Sequence, residues 1–204
     1  MKRILLMLPV LLAACDARTT SPTALVGSLL PGTVSPTAVT SCQPGGLIAS
    51  INVQYFACAT DVNGGTGSVV FSSGGFTVAL SATSGQGTPE VVASEWQSNG
   101  PVSATGQVCV AIAVTHLSLQ GAGEVQEQLN LSYNGAQQAP LTWLVTDTGH
   151  KTYCGTLPAG ATNVWWQLTT FVGVPMPAPT TDKGHRHLGG AKVTQTLLEA
   201  PIAP

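Results

Sequence analysis

Charge is what this chain has least of. Its 204 residues hold 7 Lys or Arg and 9 Asp or Glu. Beyond Lys2 and Arg3, the basic side chains are Arg18, Lys151, Lys183, Arg186 and Lys192, scattered singly or nearly so. There is no basic patch and no interleaving of basic with aromatic residues, so nucleic acid is not an expected partner. Carboxylates for acid–base work are few. The chain also lacks a Gly-x-Ser-x-Gly elbow, which argues against a serine hydrolase. It lacks any Cys-x-x-Cys, which argues against a cysteine-rich zinc site. No segment fits a helical template, and no internal repeat is visible. Apart from Ile4–Leu12, no apolar run approaches membrane-spanning length.

Glycine, serine, threonine, valine, alanine and glutamine fill the space that charge leaves. Abundant glycine with β-branched residues favours strands and turns over helices.

The N-terminus reads MKRILLMLPVLLAACD. Lys2 and Arg3 precede the short apolar run Ile4–Leu12, and small residues follow, which is the layout of a secretory signal. Leu12-Ala13-Ala14-Cys15 resembles the lipobox of bacterial lipoproteins. That resemblance implies cleavage after residue 14 and acylation of Cys15. Two or more acyl chains hold a protein stably, since each buried methylene contributes ~0.8 kcal/mol. The expected location is therefore the cell envelope, extracytoplasmic and lipid-anchored to a membrane. Residues 15–40 hold the lipidated Cys15 and a Ser/Thr/Pro-rich stretch that reads as a flexible tether. An ordered strand around Ala24–Leu30 is the alternative there. Residues 41–204 read as a single domain.

Four further cysteines, Cys42, Cys58, Cys109 and Cys154, suit two disulfides in an exported protein. Four cysteines allow three pairings, and spacing does not choose among them. Cys42–Cys58 and Cys109–Cys154 are favoured because each would link neighbouring segments of a meandering sheet.

Strand signals begin at Leu47–Thr60. Asn-Gly-Gly at 63–65 marks a turn, and Ser68–Ser72 and Phe76–Ala82 flank Gly74-Gly75 as a hairpin. Glu90–Gln97 is a short strand. Gln107–Leu119 alternates with both faces mostly apolar, as a central strand does. Val125, Glu127, Leu129, Leu131 and Tyr133 alternate with Gln126, Gln128, Asn130 and Ser132. Asn134-Gly135 follows, then Leu141, Trp143 and Val145, with Leu144 out of phase; this is a strong hairpin signature. Val164–Val172 alternates again, and Ala191–Leu198 closes the series. Eight to ten short strands with regular turns indicate an all-β, antiparallel β-sandwich, resembling immunoglobulin-like domains in architecture.

Three sets of side chains invite chemistry. His185 and His187 stand at i and i+2, so on an extended backbone both imidazoles point the same way and suit copper or zinc. The pair resembles the His-x-His copper ligands of copper-zinc superoxide dismutases, a family of disulfide-bearing β-sandwiches. The resemblance implies copper, with His116 and His150 completing the site. In that family the pair precedes the other ligands, whereas here it comes last. The alternative reading is an exposed polar loop. His116, in phase with Val114, reads more simply as a strand-end residue. His150 lies in Asp147–Lys151, a turn by composition, where Asp147 and His150 resemble part of a catalytic pair. Trp165 and Trp166 are adjacent, so they face opposite sides of a strand. An exposed tryptophan could stack on a sugar or anchor a protein partner; the plainer reading covers both. Asn130-Leu131-Ser132 matches a glycosylation acceptor, which means little in a bacterial lipoprotein such as the lipobox resemblance implies.

With no catalytic set assembled, the reading leans away from an enzyme. The expected role is binding or envelope structure, with a protein or glycan partner and no cofactor. Copper binding or superoxide dismutation is the alternative.

Overall fold

Alternating β-branched and polar residues broken by glycine and asparagine turns produce strands. The computed structural model describes residues 42–60, 65–83, 91–173 and 189–202. The expected signal, the lipobox-like Cys15 and the expected tether lie outside these residues, as do Asn63 and Gly64 of the expected turn at 63–65 and the pair His185 and His187.

Among the described residues there are twelve strands: β1 (Cys42–Ile48), β2 (Val53–Thr60), β3 (Thr66–Ser72), β4 (Thr77–Thr83), β5 (Val91–Ser98), β6 (Gln107–Gly121), β7 (Glu124–Tyr133), β8 (Ala136–Gln137), β9 (Leu141–Leu144), β10 (Gly149–Thr156), β11 (Trp165–Gly173) and β12 (Gly189–Glu199). A seven-stranded sheet runs β1-β2-β5-β11-β7-β8, with β9 also pairing β7; a five-stranded sheet runs β10-β6-β12-β4-β3. The ladders between these strands are antiparallel. The protein is thus an all-β antiparallel sandwich with two disulfides, as its alternation indicates.

The inner faces meet in one apolar core, in which Trp96, Trp166, Ile112, Leu129 and Leu168 are the largest fully buried apolar side chains. The tryptophans also satisfy their polar edges. Trp96 Nε1 donates to the Gly75 carbonyl at 2.8 Å, and Trp166 Nε1 to the Pro201 carbonyl at 3.0 Å. Buried indoles need such partners, because an unpaired N–H loses its water for nothing.

Both expected disulfides are present, Cys42–Cys58 and Cys109–Cys154. Each joins directly opposed residues on adjacent strands of one sheet, β1 to β2 and β6 to β10. An immunoglobulin domain's bridge joins its two sheets. The likeness to that family is therefore one of layers and not of cross-linking.

The structure corrects several details. Leu47–Thr60 is two strands, split by a turn at residues 49–52 that Asn52 enters at φ 51°. Asp147–Lys151 is not wholly a turn: Gly149 opens β10, an outer strand of the smaller sheet. Its Gly, His, Lys and Thr content hid the strand. β6 runs on past Thr115 to Gly121, but its pairing with β12 slips between Val114 and His116. An extra residue reverses the alternation. Val114 faces the core while His116 is exposed, so the two are not in phase as the sequence implies.

Candidate binding face

The outer face of the seven-stranded sheet is where polar side chains gather. Register assembles them from four strands. Gln54 on β2 lies opposite Gln97 on β5, Gln97 opposite Gln167 on β11, and Gln167 opposite Asn130 on β7. Four carboxamides thus form one row across the sheet. Strands lie ~4.8 Å apart, so the row extends over ~14 Å. The next row holds Phe56, Glu95, Thr169 and Gln128. On the other side of the carboxamides, Trp165 pairs with Ser132, which in turn pairs with Gln137.

These side chains are ordered by one another. Gln128 Nε2 donates to Asn130 Oδ1 at 3.4 Å, Asn130 Nδ2 to Gln167 Oε1 at 3.2 Å, and Gln167 Nε2 to Glu95 Oε2 at 2.8 Å. Every donor in this chain points toward Glu95. Gln97 Nε2 separately donates to Gln54 Oε1 at 3.0 Å. Head-to-tail amides polarise one another, and each keeps further donor or acceptor capacity. Burial raises the pKa of Glu95, against the lowering effect of its Gln167 hydrogen bond.

Access is graded. Gln167, Gln128, Glu95 and Thr169 are buried; Gln54, Gln97, Asn130 and Ser132 are half-buried; Gln137 is exposed. Trp165 is 41% exposed, two residues from Gln167 on the same face. Trp166 is 2% exposed and belongs to the core. The sequence offered Trp165 and Trp166 as candidate contacts facing opposite sides of a strand; alternation turns Trp166 inward and leaves Trp165 on the outer face. Beyond the Glu95 row the face becomes apolar, with Cys58, Val91, Ala93 and Phe171 in a small buried cluster. Leu144 pairs with Gln126 on this side and is exposed, which explains its break in the sequence pattern. The Gln126 carboxamide is buried with no hydrogen-bond partner.

The histidines within reach of description lie elsewhere. His116 and His150 are both exposed residues of the smaller sheet. Asp147 forms an ion pair with Lys151, so the Asp147–His150 pairing suggested by the sequence does not form. Among the described residues, the only close cluster of three side chains of metal-ligating type is Cys42, Cys58 and Glu95, whose atoms lie within 4.8 Å of one another. Both sulfurs are committed to a disulfide.

A second buried acid lies between the sheets. Glu127 on β7 is fully buried, and Gln195 Nε2 on β12 donates to its Oε1. Thr170 Oγ1 on β11 lies 3.0 Å from Glu127 Oε2 and 2.9 Å from Gln195 Oε1. The hydroxyl has one proton and two acceptors. Thr170 Oγ1 shares its proton between Glu127 Oε2 and Gln195 Oε1, and Gln195 Nε2 donates to Glu127 Oε1. Burial pushes the Glu127 pKa up to about 8, while the bonds from Gln195 and Thr170 lower it. Tyr153 on β10 is pushed up by burial first, then by Glu127 and Asp147.

Gln126, Gln128, Asn130 and Ser132 are legible in the sequence as the polar phase of one strand; nothing local shows that Gln54, Gln97 and Gln167 line up with Asn130. The available signal was carboxamides recurring in the polar phase of separate strands, with almost no Lys or Glu among them.

No family model and no curated protein matches the chain. Solved structures show distant likeness. The enzymatically active domain of bacteriophage CBA120 tailspike protein 4 is 12% identical at a TM-score of 0.36, covering 72% of this chain and 19% of that one. A CBM4 structure is 11% identical at a TM-score of 0.37, covering 78% and 94%. The family 11 carbohydrate-binding module from Clostridium thermocellum, in complex with a β-1,3-1,4-mixed-linked tetrasaccharide, is 8% identical at 0.32, covering 80% and 98%. This chain spans about a fifth of the tailspike domain it matches.

Proposed function

We propose that this protein is an extracytoplasmic glycan-binding module, held to a membrane through an acylated Cys15, with its ligand on the outer face of the seven-stranded sheet. The observation that carries the reading is the carboxamide row Gln54–Gln97–Gln167–Asn130 beside exposed Trp165. A carboxamide both donates and accepts, as a sugar hydroxyl does, and it brings no charge. An exposed indole stacks on the apolar face of a pyranose while its edge stays wet. In the row behind, buried Glu95 holds Gln167 and buried Gln128 holds Asn130, so little side-chain entropy is lost on binding. At ~14 Å the row is longer than one sugar ring, which favours an oligosaccharide. The sparse charge of the face favours a neutral one.

The test is binding of the full chain to neutral oligosaccharides and envelope polysaccharides by calorimetry. Trp165→Ala is expected to weaken binding by roughly tenfold or more, the loss of a stacking anchor worth ~2 kcal/mol, with Tm unchanged. Absence of glycan binding, or a W165A variant that binds like the parent, overturns the reading. The anchor is tested separately: Cys15→Ser is expected to move the protein from the membrane to the soluble fraction of expressing cells.

A further inference from the structure

We propose that Cys42–Cys58 is an exchange-active disulfide, opened by a dithiol at Cys42 with Glu95 delivering a proton to Cys58. Three observations converge on it. The two sulfurs differ in access: Cys42 is an exposed residue and Cys58 is 0% exposed. An incoming thiolate is therefore expected to attack at Cys42 and not at Cys58. The carboxyl of Glu95 lies within 4.8 Å of both sulfurs. It is held there by Gln167 Nε2, which donates to Oε2 at 2.8 Å. Finally, the residues around it on the outer face, Phe56, Ala93, Thr169 and Phe171, are uncharged. Buried without a cation beside it, the carboxyl retains its proton more readily than an exposed glutamate.

The other disulfide is a built-in control. Cys109 and Cys154 are both half-buried, and among the described residues no carboxylate lies within the same reach of both sulfurs.

The step balances. The first thiolate of the dithiol bonds to Cys42 Sγ as the Cys42–Cys58 bond breaks. The electron pair goes to Cys58 Sγ, which takes the proton of Glu95. The second thiol, deprotonated by solvent, closes on its own mixed disulfide and releases Cys42, which takes a proton from water. Glu95 is then reprotonated from solvent. The protein disulfide gains two electrons and two protons, and the dithiol becomes a disulfide. A leaving thiolate in an apolar pocket is costly, so a neighbouring acid lowers the barrier.

The experiment follows reduction of the folded full chain by dithiothreitol, quenched with acid. Differential alkylation and peptide mass spectrometry then read each disulfide separately. Cys42–Cys58 is expected to open roughly tenfold or more faster than Cys109–Cys154, and Glu95→Gln to slow it by roughly tenfold while leaving Cys109–Cys154 unchanged. Equal rates at the two bridges, or an E95Q variant that opens as fast as the parent, overturns the proposal. If E95Q does not fold, Glu95→Asp serves. It keeps the acid but shortens its reach, so a slower Cys42–Cys58 supports the proposal and an unchanged rate overturns it.

Discussion

Single residues decide where this sandwich departs from a plain hydrophobic core, and Glu127 is the clearest. The sequence placed it in the apolar phase of its strand, between Val125 and Leu129, where a solvated acid does not belong. The structure supplies the reason: Thr170 and Gln195, from two other strands, close a ring of hydrogen bonds with it. Its folded pKa of about 8 exceeds the ordinary value of 4.5. Between those pH values the unfolded chain releases the proton and the folded chain keeps it. This group's contribution to stability is therefore greatest below about 4.5 and declines as pH rises toward 8. Tyr153 is the other titratable group at this edge of the core, raised by burial first and then by Glu127. Glu127→Gln is expected to flatten the dependence of the urea midpoint on pH between 5 and 8 by up to one proton. An unchanged slope would show that Glu127 is ionised in the folded protein. Burial of the acid was legible in its phase, but its partners were not, because nothing local pairs residues 127, 170 and 195.

At the scale of elements, the hairpin signal held and the plain strand failed. Asn134 and Gly135 take φ of 54° and 76°, the conformation a two-residue turn between β7 and β8 requires. The turn is also docked. Asn134 Oδ1 accepts from Thr162 N at 2.8 Å and from Thr162 Oγ1 at 2.9 Å, and Asn134 N donates to the Thr162 carbonyl. Asn134→Ala loses both the tolerance of positive φ and this contact. It is expected to destabilise by about 2 kcal/mol. Gly135→Ala, whose added methyl meets nothing within 4 Å, carries only the backbone strain of about 1 kcal/mol. Chemical denaturation of the two variants checks the order. β10 gave no comparable signal, because its sequence GHKTYCGT has neither clean alternation nor a hairpin turn before it. The row Gln54–Gln97–Gln167–Asn130 was equally hidden. Each amide occupies the polar phase of its own strand, but only the order β2-β5-β11-β7 brings them side by side.

For the molecule as a whole, the disulfides tie edges and not layers. Cys42–Cys58 closes one edge of the larger sheet, and Cys109–Cys154 one edge of the smaller. Cohesion between the sheets rests instead on the apolar core and on the Glu127–Thr170–Gln195 ring, which spans them. The bridges then act chiefly on the unfolded chain, by the loops they close. Those loops differ, with sequence separations of 16 and 45 residues. The chain-entropy relation gives about 3 kcal/mol for the shorter and about 4 kcal/mol for the longer. Replacing Cys109 and Cys154 together by serine is expected to cost more than replacing Cys42 and Cys58, by about 1 kcal/mol. Urea unfolding of the two double variants measures the difference. In both, the sheets are expected to remain packed, with Trp96 and Trp166 giving native near-UV circular dichroism. Loss of that signal from either variant would mean that closing a sheet's edge is what holds the two layers together.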